Sequence, residues 1–296
     1  MVLEKLVCAI LVNYNGVEDT RECVESLLAS NYENLHIIIV DNASQKGRVE
    51  YDDIIRNEKC DILYMKQNIG FAGANNVGIR HALQYKPEYV LIINNDTVVE
   101  PNFLSPLINA CNESSENGIA TGKIYYFDER ELIWFGGSYF DSKLCECKID
   151  GIGKKEEERH NEKKYIPFAT GCLWLIPVSV IQKVGLMSED YFLYYEDADY
   201  CERIKKNGFR ICYVPESVIY HKESRSTGKG SDLYHYYNTR NYLIFISKYC
   251  TKLQVIAMYF NKMIKTLKDV LRKRIKISVA AGAWSDFLGK KFGKKA

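Results

Sequence analysis

The segment "EYVLIINND" (residues 88–96) decides the fold, because a buried apolar run passes directly into a polar end. Three earlier segments have the same character: "KLVCAILV" (5–12), "LHIIIVD" (35–41) and "DILYM" (61–65). Apolar runs of this length are typical of strands that are buried on both faces of a parallel sheet. The sequence therefore predicts an α/β fold, with a Rossmann-like, mostly parallel sheet sandwiched between helices.

Helical patterns lie between these strands. Apolar residues recur at helical spacing in "EDTRECVESLLASN" (18–31), and "GANNVGIRHALQY" (73–85) also favours a helix. A further helix is predicted near residues 48–57. This alternation of strands with helices is the pattern of βαβ units.

Polar residues follow the predicted strands. Right-handed crossovers place the carboxyl ends of parallel strands at one edge, where ligands bind in open α/β sheets. We therefore expect a nucleotide-sized cleft at this edge. The residues predicted to line it are Asn13, Asn15, Asp41, Asn42, Asn68 and Asn95. For Asp41 two interpretations stay open, since it could bind a ribose or base, or cap the following turn.

The pattern after Pro101 is looser. It predicts, in order, a helix over 101–112, a strand over 118–127, a hairpin with a glycine turn within 132–151, a charged loop over 152–164, a strand over 165–177, a helix to Val184, a strand over 209–214 and a tyrosine-rich segment over 234–249.

The acid at the end of the fourth strand, Asp96, is a candidate metal ligand. Magnesium sites often use one or two carboxylates together with phosphate and water, so Asp96 could hold Mg²⁺ or Mn²⁺ against a diphosphate. It could instead cap the helix that begins near Pro101. The strand-end residue His221 favours the metal interpretation, because it offers a second ligand or a phosphate contact.

The glycines of "GFAGANNVG" (70–78) do not form the G-x-G-x-x-G pattern of dinucleotide sites, and no G-K-[ST] of a P-loop follows. Close packing of a helix on a strand explains them without a ligand. The sequence thus excludes two common phosphate-binding motifs at this place.

The stretch "YYEDADYCERIKKNGF" (194–209) contains four acids in seven residues. Asp199 and Glu202 each precede a basic residue by four positions, Arg203 and Lys206, which predicts ion pairs on the surface of a helix. The other two acids precede that helix. We expect them to face the cleft.

Eight motifs in this order carry a resemblance: "NYN", "VDNAS", "NIGFAGANN", "NNDT", "TGCLWLIP", the acidic stretch, "YH" and "YYNTRN". Together they resemble the family 2 glycosyltransferases, which have the GT-A fold. The rhamnosyltransferase-like branch is most similar, because it also has N-x-G-F-A-G-x-N and a late Y-x-x-R-N. The resemblance covers about residues 5–245.

The resemblance implies an enzyme that moves a sugar, with inversion, from a nucleoside diphosphate sugar to an acceptor hydroxyl. Asp197 then corresponds to the general base, and Glu196 to a neighbour that touches the acceptor or the donor sugar. Thr170 and Gly171 correspond to the loop that faces the sugar and acceptor. Dinucleotides are not implied; dTDP-rhamnose is the first expectation for the donor, followed by UDP-sugars.

The same resemblance assigns the donor side of the site. Asp41 corresponds to the acid that binds the base or ribose, and Asn68 and Gly70 line the nucleotide pocket. Asp96 corresponds to the last acid of a D-x-D metal motif, whose first acid is here Asn94, so His221 is expected to share the metal. The remaining candidate is Arg240, an arginine among aromatics that could pack there or stabilise the diphosphate.

Two other functions are weighed against this one. A nucleotidyltransferase usually carries a glycine-rich basic loop after the first strand, but "NYNGVEDT" has no basic residue before Arg21. A non-catalytic protein that binds sugars or nucleotides would not need Asp96 and Asp197. The sequence favours the transferase.

The net charge of +2 gives no reason to expect a nucleic-acid partner, but its distribution is uneven. Eleven lysines and arginines oppose two aspartates from Lys262 onward, so this part carries about +9 and the rest about −7. We predict a catalytic domain over 1–250, with a nucleotide-binding half (1–100) and an acceptor half (101–250). A basic amphipathic helical tail over 251–296 would follow, either on an anionic membrane or packed on the catalytic domain.

The ten cysteines are scattered without a C-x-x-C pair, which favours reduced thiols in the cytoplasm. The first residues lack the basic start of a signal peptide. No apolar run reaches the roughly 20 residues of a membrane span. We therefore expect a cytoplasmic protein that contacts the inner face of the plasma membrane through its tail, where a lipid-linked or glycan acceptor would be met.

Overall fold

The structure is a computed structural model that describes residues 4–45, 57–141, 146–223 and 230–295. Its first half contains β1 (Val7–Asn13), α1 (Val17–Leu28), β2 (Leu35–Asp41), β3 (Cys60–Tyr64), α2 (Gly70–Ala82) and β4 (Tyr89–Ile93). These bounds agree with the strands and helices predicted for this half. The helix expected over 48–57 falls almost wholly outside the described residues.

The first four strands form the parallel part of the sheet, in the order β3-β2-β1-β4. Every residue of β4 and nearly every residue of β1 and β2 is buried. Fully burying one such aliphatic side chain stabilises the fold by roughly 1.5–3 kcal/mol. The α/β fold class is confirmed, and the carboxyl ends of these strands meet at one edge.

The second half of the catalytic part adds further strands and helices. In chain order they are β5 (Thr97–Val99), α3 (Leu104–Glu113), β6 (Asn117–Tyr126), β7 (Leu132–Phe135), β8 (Ser138–Asp141), β9 (Glu146–Ile149), β10 (Lys154–Lys155), β11 (Lys164–Ile166), β12 (Leu173–Pro177), α4 (Val178–Val184), α5 (Glu196–Lys206) and β13 (Arg210–His221).

Antiparallel pairing begins beyond β4. β12 runs antiparallel to β4, β6 lies next to β12, and β13 pairs in parallel with β6. The last residues of β13 also pair with β5, which places His221 opposite Thr97. Two segments that are far apart in sequence are thus brought to the end of β4.

Two local predictions for this half were wrong, and one predicted strand is longer than expected. The segment 165–177 is not one strand, because β11 and β12 are separated by a turn and pair with different strands. The charged segment 152–164 is not a free loop: it contains β10 and a short 3-10 helix whose His160 is fully buried. The predicted strand over 209–214 extends to His221 as β13. Apolar periodicity does not record these tertiary contacts.

The C-terminal part contains α6 (Asp232–Tyr249), α7 (Lys252–Leu271) and α8 (Ile277–Leu288). It packs on the catalytic part, because the amide of Gly293 donates to the Asp190 carbonyl at 2.7 Å. Within the described residues, no helix combines the length and apolar character needed to cross a bilayer.

The seven cysteines that are buried in the described part of the chain carry free thiols, as expected for reduced cysteines: Cys8, Cys23, Cys60, Cys111, Cys172, Cys201 and Cys212. Burial raises the pKa of the Cys23 and Cys111 thiols to about 12, so both stay protonated near neutral pH. They behave as small apolar side chains.

Candidate active site

Polar side chains at the ends of β1, β2 and β4 form one hydrogen-bonded network. The Asn13 amide donates to Asp41 at 3.1 Å and accepts from the Asn95 amide at 3.2 Å. The Asn42 amide donates to the Asn68 side chain at 3.1 Å. The structure therefore brings these five predicted nucleotide-site residues to the same edge of the sheet.

Asp41 fits the turn-capping interpretation. Its second carboxylate oxygen accepts the backbone amide of Ser44 at 2.8 Å, and the residue is 2% exposed. Asn15 fixes the same loop by accepting from the Gln45 amide at 2.8 Å, while most of its side chain faces solvent. A contact of Asp41 with a base or ribose remains a prediction.

Gly70 lies where the nucleotide-site loop packs against the segment that precedes Glu196 and Asp197. Its φ of +80° lies in the left-handed region, and a Cβ at this position would overlap the carbonyl oxygen of Phe192. That oxygen accepts the amide of Phe71 at 3.1 Å. Only glycine allows this close approach without strain.

The pairing of β12 with β4 brings the loop that precedes β12 to the cleft edge. Leu173 lies opposite Ile93, and the Asn94 amide donates to the Cys172 carbonyl at 3.0 Å. Thr170 and Gly171 are thus held beside the end of β4. This places the predicted acceptor loop next to the predicted metal residues.

Asp197 lies beside the same loop. Its Cβ is 3.7 Å from the position of a Cβ on Gly171, and its carboxylate accepts the Ala198 amide at 2.8 Å. Burial raises the pKa of Asp197 from 3.8 to about 6, although hydrogen bonds from the Ala198 and Gly171 amides lower it. A carboxylate with this pKa can accept a proton near neutral pH.

Glu196 differs from Asp197 in its burial and its hydrogen bonds. It is 7% exposed, and its Oε2 atom is buried without a hydrogen-bond partner in the described structure. Burial, and then the charge of Asp197, hold the pKa of Glu196 well above 4.5. Of the two acids, Glu196 therefore retains a proton more readily and Asp197 ionises more readily.

Glu196 and Asp197 do not precede the helix as predicted, because they are the first two residues of α5. The other two acids, Asp199 and Glu202, depart from the predicted surface pairs. Asp199 does pair with Arg203 at 3.0 Å, but its side chain is 1% exposed and also accepts the hydroxyl of Tyr249 at 2.9 Å. Glu202 pairs with Lys205 at 2.6 Å rather than with the expected Lys206. Asp199 is thus a buried link between α5 and α6, because α6 covers this face.

Asp96 and His221 lie side by side in the structure. The Nε2 atom of His221 lies 3.1 Å from Oδ1 of Asp96, and the edge of Trp134 contacts the imidazole with ring centroids 4.4 Å apart. Two neighbouring ligands of an octahedral ion with bonds of about 2.1 Å would be about 3 Å apart, so this pair fits a divalent ion. Among the described residues, no group of three or more His, Cys, Asp or Glu side chains could hold a metal ion by itself. Phosphate and water would therefore supply the other ligands.

Arg240 does not occupy the predicted position at the diphosphate. Its side chain is fully buried, and its guanidinium donates to the Gly293 carbonyl at 2.7 Å and to the Lys291 carbonyl at 3.4 Å. The neighbouring Asn241 was missed by the sequence analysis. It donates to the carbonyls of Leu193 and Tyr194, just before the acid pair, and only its place in "YYNTRN" could have drawn attention to it.

Comparisons with known proteins agree with this geometry. The family model "Glycosyl transferase family 2" matches residues 8–185. A dTDP-rhamnosyl transferase, RfbF of Shigella flexneri, is 22% identical over 81% of this chain and 79% of its own length. The low-salt glycan biosynthesis hexosyltransferase Agl10 of Haloferax volcanii is 26% identical over 71% of this chain and 65% of its own length.

Among solved structures, GalNAc-T7 with UDP, GalNAc and Mn²⁺ is similar in fold, with a TM-score of 0.61 and 17% identity. The match covers 73% of this chain but 43% of that one, so the chain spans less than half of this neighbour. This likeness shows the fold, which is that of the GT-A glycosyltransferases.

Because Gly70 lies against Phe192, a methyl group added at position 70 should destabilise the protein. We expect Gly70→Ala to lower the free energy of unfolding by about 2 kcal/mol or more, because it adds left-handed strain and a backbone overlap. Chemical denaturation measures the change. The control is Gly73→Ala, where a Cβ would meet only the Ile69 side chain, at 3.3 Å. Equal losses in both variants would contradict this assignment.

Proposed function

The chain belongs to glycosyltransferase family 2, and from this premise we propose that it is an inverting glycosyltransferase. It would transfer a sugar from a nucleoside diphosphate sugar to a hydroxyl of a glycan or lipid-linked acceptor during synthesis of a cell-surface polysaccharide. The observation that carries the proposal is the Asp197 carboxylate, which has a pKa of about 6 and lies beside Gly171 at the carboxyl edge of the sheet.

Asp197 acts as the general base in this proposal. It takes the proton of the acceptor hydroxyl as the oxygen forms a bond to the anomeric carbon, while the bond from that carbon to the diphosphate breaks. Attack from the side opposite the leaving group inverts the anomeric centre. In its neutral form Glu196 would keep a second negative charge away from the attacking oxygen.

The donor nucleotide would lie over the network at the ends of β1, β2 and β4. Asn15, Asn68 and Asn95 are only partly buried or exposed, so they can contact a ligand, whereas Asn13 and Asn42 hold the loops in place. The similarity to the Shigella enzyme favours a dTDP-rhamnose donor, with UDP-sugars as the second choice.

Asp96 and His221 would hold Mg²⁺ or Mn²⁺ at the diphosphate. Asn94, which replaces an acid of the family motif, lies near this pair, with its amide nitrogen 3.5 Å from Nε2 of His221. When bound, the ion would neutralise charge on the leaving diphosphate. The solved neighbour that contains UDP and Mn²⁺ supports this choice of ion.

The role of Asp197 as the general base can be tested with two variants, Asp197→Asn and Glu196→Gln. Asp197→Asn should lower the rate at which nucleoside diphosphate is released from the donor by about 100- to 10,000-fold, because general-base catalysis contributes that much. Nucleotide binding, measured by thermal shift with dTDP, UDP and GDP, should stay unchanged. In the wild type, kcat/KM should fall as the pH drops through about 6, where Asp197 becomes protonated.

Glu196→Gln is the matched control for this test. Since Glu196 is already neutral, the amide should leave the acidic midpoint of the pH profile within about half a unit, and nucleotide binding intact. Near-normal turnover by Asp197→Asn would overturn the base assignment. Formation or use of pyrophosphate would point to a nucleotidyltransferase, and binding without turnover would point to a non-catalytic protein.

The proposed metal ligands Asp96 and His221 can be tested by a measurement that does not depend on activity. Mn²⁺ should increase the thermal stabilisation that a nucleoside diphosphate gives the wild type, and EDTA should remove that increase. Asp96→Asn should weaken the Mn²⁺-dependent part of nucleotide binding at least about tenfold. The same dependence on Mn²⁺ in the variant would show that the ion binds elsewhere.

We further propose that α7 rests on an anionic membrane surface. One stripe of this helix is apolar yet open to solvent, with exposures of 51–82%: Leu253, Ile256, Phe260, Met263, Leu267 and Leu271. Lysines and arginines flank the stripe, which matches anionic lipid and opposes pairing with a second, equally basic copy. Another side of α7 packs on α8, where Tyr259 contacts the rings of Trp284 and Phe287.

Vesicle flotation tests the membrane proposal. The wild type should float with vesicles that contain phosphatidylglycerol and stay behind with neutral phosphatidylcholine vesicles, because both apolar burial and charge contribute. A Phe260→Ser/Leu267→Ser double variant should lose flotation. Phe140→Ser, which changes a similarly exposed aromatic on β8, should not. A dimer that dissociates in the double variant would show instead that a second copy covers the stripe.

A further inference from the structure

The backbone directly before Glu196 and Asp197 has an unusual conformation. Tyr194 and Tyr195 have φ angles of 68° and 73°, and Glu196 follows at once as the first residue of α5. The left-handed region costs a residue with a side chain about 1–2 kcal/mol, so two in succession persist only where neighbouring groups fix them. The direction in which α5 presents Asp197 depends on this double turn.

Asn241 of α6 binds the backbone of the double turn. Its Nδ2 atom donates to the Leu193 carbonyl at 2.8 Å and to the Tyr194 carbonyl at 2.9 Å. These bonds use both hydrogens of the amide. Because Asn241 is fully buried, water does not compete for the two carbonyls at this place.

Arg240 fixes the orientation of that amide. Its Nε–H donates to Oδ1 of Asn241 at 3.0 Å, which leaves the NH₂ group facing the two carbonyls. A flipped amide would set its oxygen against both carbonyls and its NH₂ group against the guanidinium. The guanidinium is in turn anchored on the carbonyl of Gly293. A chain of hydrogen bonds thus runs from the C-terminal segment to the turn before Asp197.

The turn is also held by the Tyr195 carbonyl, which accepts the Asp199 amide at 2.9 Å, and by contacts of its two tyrosine rings. Tyr194 meets the ring of Tyr234 edge-on at 5.3 Å, and Tyr195 lies 5.7 Å from the ring of Phe245. Ring contacts tolerate rotation of a peptide group, whereas two hydrogen bonds to successive carbonyls do not. Asn241 therefore holds the carbonyls of residues 193 and 194, between the Phe192 carbonyl, which binds the Phe71 amide, and the Tyr195 carbonyl, which binds α5.

We propose that Asn241 is a positioning residue for the transfer reaction, which holds the turn at Leu193–Tyr195 so that Asp197 points at the acceptor hydroxyl. This inference rests on the proposed role of Asp197 as the base. Asn241 acts through the backbone and does not touch the substrate. A misplacement of about 1 Å in a reacting group can lower the rate about 100-fold, which sets the size of the expected effect.

The test uses two variants of similar volume in the full chain. Asn241→Asp removes both donors and keeps a partner for Arg240, while Asn241→Leu removes them without adding a buried charge and serves if the first does not fold. In both, kcat should fall about 100-fold, with the donor KM within about threefold of wild type. Deuterium uptake should rise in peptides covering 191–198 and stay unchanged over 35–41.

The control is Asn238→Asp, on the same helix, where the amide donates to the Tyr234 carbonyl of its own helix at 3.1 Å. It should retain wild-type kcat and deuterium uptake. A kcat within about threefold of wild type in the Asn241 variants would overturn the proposal, as would an equal loss in the control or a parallel loss of donor binding. A wild type without turnover on any sugar nucleotide would instead refute the proposed function, and deuterium uptake would still show whether Asn241 holds the turn.

Discussion

The parallel pairing of β1 with β2 and β4 is the constraint on which the site depends. It aligns Asn13 with Asp41 and sets the end of β4 beside them. Antiparallel β12 then starts from the same edge, so that Gly171 and the acid pair meet the strand ends although they lie some distance along the chain.

Burial gives the four clustered acids different roles. Glu196 and Asp197 share a poorly solvated place, and burial raises the pKa of both carboxyl groups, that of Asp197 to about 6. Asp199 is buried as well, but Arg203 and the Tyr249 hydroxyl compensate its charge. Neighbouring acids of one helical turn thus become the proposed base, its less acidic neighbour and a structural ion.

The parts that were predicted from sequence depend on local patterns. Buried apolar runs located β1 to β4, and the residues after them located the cleft, because side-chain period and strand direction follow from a few neighbouring residues. The contacts of Arg240 depend on where residues 291–295 return, which no local pattern encodes. Asn241 was missed for the same reason: an amide beside an arginine in a helix shows its function only when the carbonyls it binds are in place.

The C-terminal segment is tied to the acid pair more closely than a division at residue 250 suggests. Removing it would leave the buried guanidinium of Arg240 without the Gly293 carbonyl, and a buried cation without its hydrogen bonds costs several kcal/mol. Arg240 would then turn toward water and release Oδ1 of Asn241, so the amide could rotate away from the double turn. Loss of activity in a chain cut after α6 would therefore not separate a membrane role of α7 from the support that residues 291–295 give to Asp197, whereas substitutions on the exposed stripe of α7 leave that support in place.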